Sequence, residues 1–443
     1  MVKNKVSSSE NLCENIRISE NGTLLFAGRD AAELIKQYGS PMYLFDEERV
    51  RENCRAYKKA LGKYFGEDAL PLYASKAASF KRMYEIIKEE GFGTDVVSAG
   101  EIFTARLAGF PLNRAYFHSN NKTDSDIAFA MDEGVGYFVV DNVEELRVID
   151  EKAKERGIRQ KVLLRLTPGI DPHTYAAVAT GNVDSKFGSA IETGQAMVIT
   201  KEALGMAGID LRGFHCHVGS QVFDSDVFVR AAVIMLDFIK EVKDECGFEA
   251  DELDLGGGFG VRYTDTDPYL DVDSVIEEIA DIVKLTVNKL GIRMPKIRFE
   301  PGRSIVADAC VTLYTVGTVK RIPGYKNYVS TDGGMTDNPR FALYGSRYTV
   351  ALANRMTDEC ALECSVVGRC CESGDILAEH VMLPADTRRG DILAVFTTGA
   401  YNYSMSSNYN RVGRLPVVMI DKDGHDYLAV RRETLDDIAK CDI

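Results

Sequence analysis

A chain of 443 residues, 45% of them hydrophobic, can bury a large core and is expected to divide into about two domains. Its 53 Lys and Arg against 67 Asp and Glu give a net charge of −14 with no basic block, which argues against a nucleic-acid or anionic-membrane surface but leaves room for a local basic pocket. No run is apolar for long enough to span a bilayer, and MVKNKVSSSENLCENIRISE lacks the apolar centre of a signal peptide; a cytoplasmic protein with ten reduced cysteines is expected.

In chain order, IRISENGTLLFAGRD (16–30) reads as a hairpin, and residues 1–40 are assigned to the β domain that the C-terminal part predicts. Short β-rich runs follow: PLYAS (71–75), TDVVS (94–98), AYFHS (115–119), GYFVVD (136–141), KVLLRLT (161–167), GFHCHV (213–218), ELDLG (252–256) and KIRFE (296–300). Segments such as SFKRMYEIIKEEG and DVFVRAAVIMLDFIKEVKDE lie between them, with apolar residues recurring at helical spacing. Eight strands with seven helical connections predict a parallel (β/α)8 barrel of the TIM type over residues 41–309; periodicity alone leaves a doubly wound sheet open. Polar residues favour the barrel. Lys76, Ser98, Asn120, Asp141, Arg165, His217, Gly256 and Glu300 fall at or just past the C-terminal ends of these runs, where barrel enzymes build their sites. From about residue 310 the runs VTLYTVGTV, KNYVSTD, ECALECSVVG, DILAVFTTG, RLPVVMID and HDYLAVRRE, separated by Gly, Pro and Asp turns, predict a mainly-β domain over 310–443.

Several residue types at these strand ends carry chemistry. Lys76 in YASKA would enter the barrel mouth from an apolar strand, where a desolvated amine can condense with an aldehyde; a surface lysine is the plainer alternative. Gly256, Gly257 and Gly258 follow a strand directly, so their backbone N–H groups can approach a phosphate, or they simply form a tight turn. EPGRSIVAD offers Glu300 as an acid for a ring nitrogen and Arg303 as a guanidinium for a phosphate or carboxylate. Lysine, phosphate cradle and acid together match the requirements of pyridoxal phosphate. Cys360, Cys364, Cys370 and Cys371 offer four thiols, but adjacent cysteines chelate one ion poorly and their spacing does not suit zinc; no metal is expected.

The motifs YASKA, GTDVVSAGE, HSNNKT, DSKFG, FHCHVGSQ, DLGGGFG, EPGRSIVADA, CESGD and GAYNYSMSSNYN, in order from about residue 40 to 416, resemble the diaminopimelate decarboxylases, pyridoxal-phosphate enzymes of the alanine-racemase fold. The resemblance implies a barrel carrying the cofactor, a C-terminal β domain, and a homodimer with shared active sites. It implies that Lys76 holds the cofactor covalently, that His217 stacks on its ring, and that Ser220, Gly256, Gly257, Gly258, Gly302 and Arg303 lie near its phosphate, with Glu300 at the pyridine nitrogen. Arg303, Arg340 and Tyr344 would hold the distal carboxylate of the substrate, Glu372 its distal ammonium, and Tyr401 would touch both cofactor and substrate. Cys371, reaching in from the partner subunit, would return a proton to the reacting carbon, while Cys370 is read as packing.

The activity so implied is decarboxylation of meso-2,6-diaminopimelate to L-lysine. Alternatives are a decarboxylase of ornithine, arginine or lysine on the same fold, whose substrates lack the distal carboxylate that Arg340 would grip, and a non-catalytic cofactor-binding homologue, against which both Lys76 and Cys371 are present. Two departures stand out: YASKAASF lacks the asparagine common just after the lysine, and Phe341 replaces a common proline.

Overall fold

A computed structural model describes residues 13–170 and 185–443. Asp184 of the DSKFG motif lies outside the described residues. The chain forms two units: one combines the residues through Glu52 with Val261–Pro268 and Arg303–Ile443, the other Asn53–Gly260 with Tyr269–Gly302.

The second unit is the expected barrel. Its eight strands are Leu70–Ala74, Gly93–Val96, Ala115–Phe117, Tyr137–Val140, Gln160–Thr167, Ile209–His215, Glu252–Asp254 and Lys296–Phe299. Each pairs parallel with the next, and Arg298 and Phe299 pair back to Leu70 and Pro71, which closes the ring. The helices between them are amphipathic and capped by their own sequence. Ser225–Cys246, for example, starts at Asp224, whose side chain accepts from the Asp226 N–H, and stops at Gly247 in the left-handed region (φ +69°).

Strand alternation divides the barrel interior into layers. Tyr116 and Tyr137, stacked at 4.3 Å, donate to the two oxygens of Glu252 at 2.8 and 2.9 Å, and Arg298 Nε lies 3.3 Å from the same carboxylate. Two residues further along their strands, Tyr116, Glu252 and Arg298 give way to His118, Asp254 and Glu300. A lower layer of paired polar groups thus fixes the register of an upper layer at the strand C-termini.

The other unit is a mainly-β body whose central strand is Cys310–Arg321, with Met42–Asp46, Asn327–Thr331 and Ile392–Phe396 as antiparallel neighbours. The opening hairpin, Ile16–Ile18 against Leu24–Phe26, packs Ile16, Leu24 and Phe26 into a core with Leu44, Val311, Leu313, Phe396 and Val418. The junction differs from the one expected at residues 40 and 41. Met42–Asp46 belongs to this body, because it pairs with Cys310–Leu313 on one side and with Val417–Ile420 on the other. All five of its residues are buried, and such a continuous apolar run carries no alternation to tell it from a barrel strand. Ile376–Pro384, which pairs with Cys360–Val367, is a further strand that the sequence pattern did not mark. All ten cysteines are free thiols. Among the described residues no helix is long and apolar enough to cross a membrane.

Candidate active site

Lys76 sits in a short 3-10 turn directly after the first barrel strand. Its amine is not desolvated as the apolar strand suggested: the side chain is 45% exposed, and Nζ lies 2.6 Å from Oδ2 of fully buried Asp95 on the next strand. The other oxygen, Asp95 Oδ1, is buried with no donor. Asp95 therefore anchors a lysine whose stem remains open to a reacting molecule.

Glu300, buried at the end of the eighth strand, meets two imidazoles. His215 Nε2 lies 3.2 Å from Oε2 and His118 Nε2 lies 2.7 Å from Oε1, the two rings standing edge to face at 4.9 Å. The His118 contact is off the line a hydrogen bond needs, so Oε1 keeps no in-line donor. Burial alone would push Glu300 up, but the two histidines outweigh it and hold the carboxyl well below the usual carboxylate range. Asp254 goes the other way: burial, then the Glu300 charge, raise it well above that range, while its Oδ1 accepts from the Gly256 N–H at 2.8 Å. Two neighbouring carboxyls are thus driven in opposite directions, Glu300 toward its ionised form and Asp254 toward its protonated one, the pattern that separates acid from base in catalytic sites.

His217 follows on the loop after the sixth strand. Burial, then the charges of Arg165 and Lys76, push it down to about 3, so the ring is neutral near pH 7. Its Nδ1 accepts from the Gly257 N–H at 3.3 Å. Ser220 lies three residues on and is partly exposed.

The glycine run does more than offer N–H groups. A Cβ on Gly256, Gly257 or Gly258 would come within 2.5, 2.0 or 2.1 Å of the carbonyl oxygens of Cys216, Glu300 and Gly219, and Gly256 and Gly258 hold φ of +69° and +112°. Two of the three N–H groups are engaged, by Asp254 and His217. The run is first a close-packing device that lets three strand ends converge, which is the tight turn the sequence left open beside the phosphate cradle. Gly302 serves likewise, since a Cβ there would meet the Ala74 methyl at 2.7 Å.

In the β unit, Arg303 and Arg340 are both buried and share the same aromatic rings. Arg303 Nη1 donates to Tyr263 Oη at 2.7 Å and its guanidinium lies 4.9 Å from the Tyr401 ring. Arg340 lies 5.6 Å from the rings of both Tyr344 and Tyr401 and 6.0 Å from Tyr263, and Nη2 donates to Ser346 Oγ at 3.3 Å. Its Nε is buried without an acceptor, and among the described residues no carboxylate is within ion-pair distance of Arg340. A buried cation without an anion is costly, so this cage is built to receive one. Tyr401 holds φ +62°, a conformation that a bulky residue adopts only when its surroundings impose it.

Cys371 and Glu372 lie apart from that cage, on the exposed turn between Cys360–Val367 and Ile376–Pro384. The Cys371 N–H donates to Asn410 Oδ1 at 2.8 Å, and Glu372 Oε1 accepts from Gly374 N–H at 3.2 Å. Buried Asp375 organises the turn, accepting from the Cys370 and Met335 N–H groups at 2.7 and 2.6 Å.

The residues present fit a pyridoxal cofactor: an accessible lysine amine, a buried ionised acid whose Oε1 lacks an in-line donor for a protonated ring nitrogen, and a neutral imidazole beside them. Sequence reasoning missed Asp95, His118, His215 and Asp254 around Lys76 and Glu300, and Tyr263 beside the arginines. A signal for four of them existed: each is a polar residue inside a motif already singled out, two positions from another inward-facing residue of the same strand or loop.

The family described as pyridoxal-dependent decarboxylase, pyridoxal binding domain, matches residues 47–307. Over 427 residues the chain is 44% identical to the diaminopimelate decarboxylase of Bacillus subtilis, covering 96% of this chain and 97% of the relative. The Bacillus methanolicus enzyme of the same name is 43% identical, with 94% and 96% covered. The crystal structure of the M. jannaschii diaminopimelate decarboxylase in complex with L-lysine superposes with a TM-score of 0.87 at 34% identity, covering 97% of this chain and 98% of that one.

Proposed function

This chain belongs to the diaminopimelate decarboxylase family, and from that premise we propose how its side chains divide the reaction. It decarboxylates meso-2,6-diaminopimelate to L-lysine and carbon dioxide, the last step of lysine biosynthesis, and uses pyridoxal 5′-phosphate. When bound, the cofactor supplies an electron-accepting ring for the electrons that the departing carboxylate leaves behind.

Lys76 would hold the cofactor through Nζ, where its amine can exchange with the substrate amine. Asp95 takes up the amine when it is protonated. Glu300, kept ionised, would accept a hydrogen bond from the pyridine nitrogen and so keep it protonated, and neutral His217 would pack beside the ring without adding charge. Ser220, Gly302, the turn at Gly256, Gly257 and Gly258, and Arg303 serve the phosphate end. Arg340 and Tyr344, with Arg303, hold the distal carboxylate, Glu372 the distal ammonium, and Tyr401 closes over cofactor and substrate. The chain acts as a homodimer in which Cys371 of the partner subunit protonates the reacting carbon; an exposed thiol on a turn suits a group that must reach another chain.

The observation that carries the substrate assignment is the buried Arg340 guanidinium, caged by tyrosines and lacking a carboxylate partner among the described residues. A substrate ending in an ammonium alone would leave it unpaired beside a like charge, which disfavours ornithine, arginine and lysine. Arg340→Met is expected to lower kcat/KM for meso-diaminopimelate by about a hundredfold, on the scale of a charge-assisted bidentate contact. Any activity on D-lysine, which keeps the reacting carboxylate of the D centre and lacks only the distal one, should not fall with it. Equal loss on both substrates, measured as carbon dioxide release, would show that Arg340 does not read the distal carboxylate.

A further inference from the structure

We propose that His118 and His215 are positioning residues that clamp Glu300, fixing the direction of its carboxylate and keeping it anionic so that its free acceptor site meets the pyridine nitrogen. The inference rests on the function just proposed and deepens it, since neither histidine touches the reacting atoms.

The geometry is specific. The imidazoles come from two non-adjacent strand ends, Ala115–Phe117 and Ile209–His215, and converge on one carboxylate: His215 Nε2 is hydrogen-bonded to Oε2 at 3.2 Å, and His118 Nε2 lies 2.7 Å from Oε1, off the line of a hydrogen bond. Both histidines and Glu300 are buried. Placing a side chain between two others leaves it little freedom to turn, and the edge-to-face contact of the rings at 4.9 Å couples one imidazole to the other. Burial pushes His215 down to about 4, so near pH 7 it serves as a neutral N–H donor rather than a counter-cation. A neutral His215 has a consequence for the chemistry. It stabilises the anion without cancelling its charge, which leaves that charge to keep the ring nitrogen protonated.

The other charged or titratable groups around Glu300 are Asp254, Arg165, Cys216 and His217. Burial and the Glu300 charge drive Asp254 toward its protonated form, and His217 is neutral near pH 7. Cys216, pushed up by burial, stays a thiol, which leaves Arg165 as the only cation in this set. Removing either imidazole therefore raises the Glu300 pKa, and the acid limb of any property that needs the anion moves to higher pH.

The test uses the full-length holoenzyme and its His118→Leu, His215→Leu, His118→Gln and His215→Gln variants. The absorbance of the bound cofactor is followed against pH beside kcat and KM. Each Leu variant is expected to shift the acidic spectral midpoint up by about one pH unit and to lower kcat about tenfold with KM little changed, while Gln, which keeps an N–H donor, restores the midpoint. If one Leu variant proves unstable, the other Leu variant and its Gln counterpart still decide, because a purely space-filling role predicts no difference in midpoint between Leu and Gln. An unmoved midpoint in both Leu variants, or Gln variants that behave like Leu, would overturn the clamp. Failure of the unmodified protein to bind the cofactor would instead overturn the function on which it rests.

Discussion

Asp337 shows what a single buried acid costs this molecule. It lies at the centre of the β unit, accepting from Tyr314 Oη at 2.5 Å and from the Gly334 N–H and Thr336 hydroxyl at 3.0 Å, with no cation in the set, and burial pushes it up to about 7. Its folded pKa is above the unfolded value, so the folded chain holds the extra proton between about pH 4 and 7 and loses stability as pH rises through that window. Between pH 5 and 8 the penalty is on the order of 2–3 kcal/mol, and Asp337→Asn should remove most of it. Urea unfolding at the two pH values checks this: the difference should shrink in the variant, and an unchanged difference would show that another group titrates. At this scale the sequence was legible where a residue type has one chemical use. Lys76, Glu300 and Arg303 could be read from their motifs, because an amine, an acid and a guanidinium at strand ends have few alternatives. Asp95, His118 and His215 were not, because their roles depend on partners about 20, 180 and 85 residues away that only the closed barrel brings within reach. Lys76 was also credited with the wrong environment: its apolar flanks suggested desolvation, whereas the neighbouring strand supplies an anion.

The turn carrying Cys371 and Glu372 is an element held by one side chain. The two carboxylate oxygens of Asp375 accept N–H groups from Cys370 and Met335, and a Cβ at Gly334 or Gly368 would come within 2.4 or 2.3 Å of them, so both glycines exist to let this carboxylate in. Asp375→Ala would leave two N–H groups without acceptors, at a cost of about 1–3 kcal/mol each. It should lower kcat about tenfold or more, change KM little, and alter the rate at which a small alkylating reagent modifies Cys371. An unchanged modification rate would mean that the turn keeps its shape without Asp375. Among the elements, the eight barrel strands were readable because each is a short apolar run ending in a polar residue. Ile376–Pro384 escaped because EHVML mixes exposed and buried positions with a bulge in its pairing, which blurs the period of two. Met42–Asp46 was placed with the barrel by the boundary at residue 41, since pairing partners over 250 residues away leave no local mark of the β body.

For the whole molecule, the two units supply different chemistry: the barrel offers the lysine, the ionised acid and the glycine turn, and the β unit the two caged guanidiniums and the thiol. Only two residues separate Glu300 from Arg303 in the chain, so the barrel's acid and the β unit's guanidinium lie within one short motif of the sequence. A net charge of −14 around a buried pair of arginines means that a dicarboxylate finds its attraction locally, and added salt should weaken that buried contact little. The central claim is that the chain makes L-lysine from meso-diaminopimelate with Lys76 of one subunit and Cys371 of the partner subunit. The most direct measurement mixes Lys76→Ala with Cys371→Ala, each inactive alone, allows the subunits to exchange, and assays L-lysine and carbon dioxide from meso-diaminopimelate. Random pairing gives half heterodimers with one intact site in two, so about a quarter of the unmodified activity should return. No recovery after demonstrated exchange, or full activity in Cys371→Ala by itself, would contradict the account.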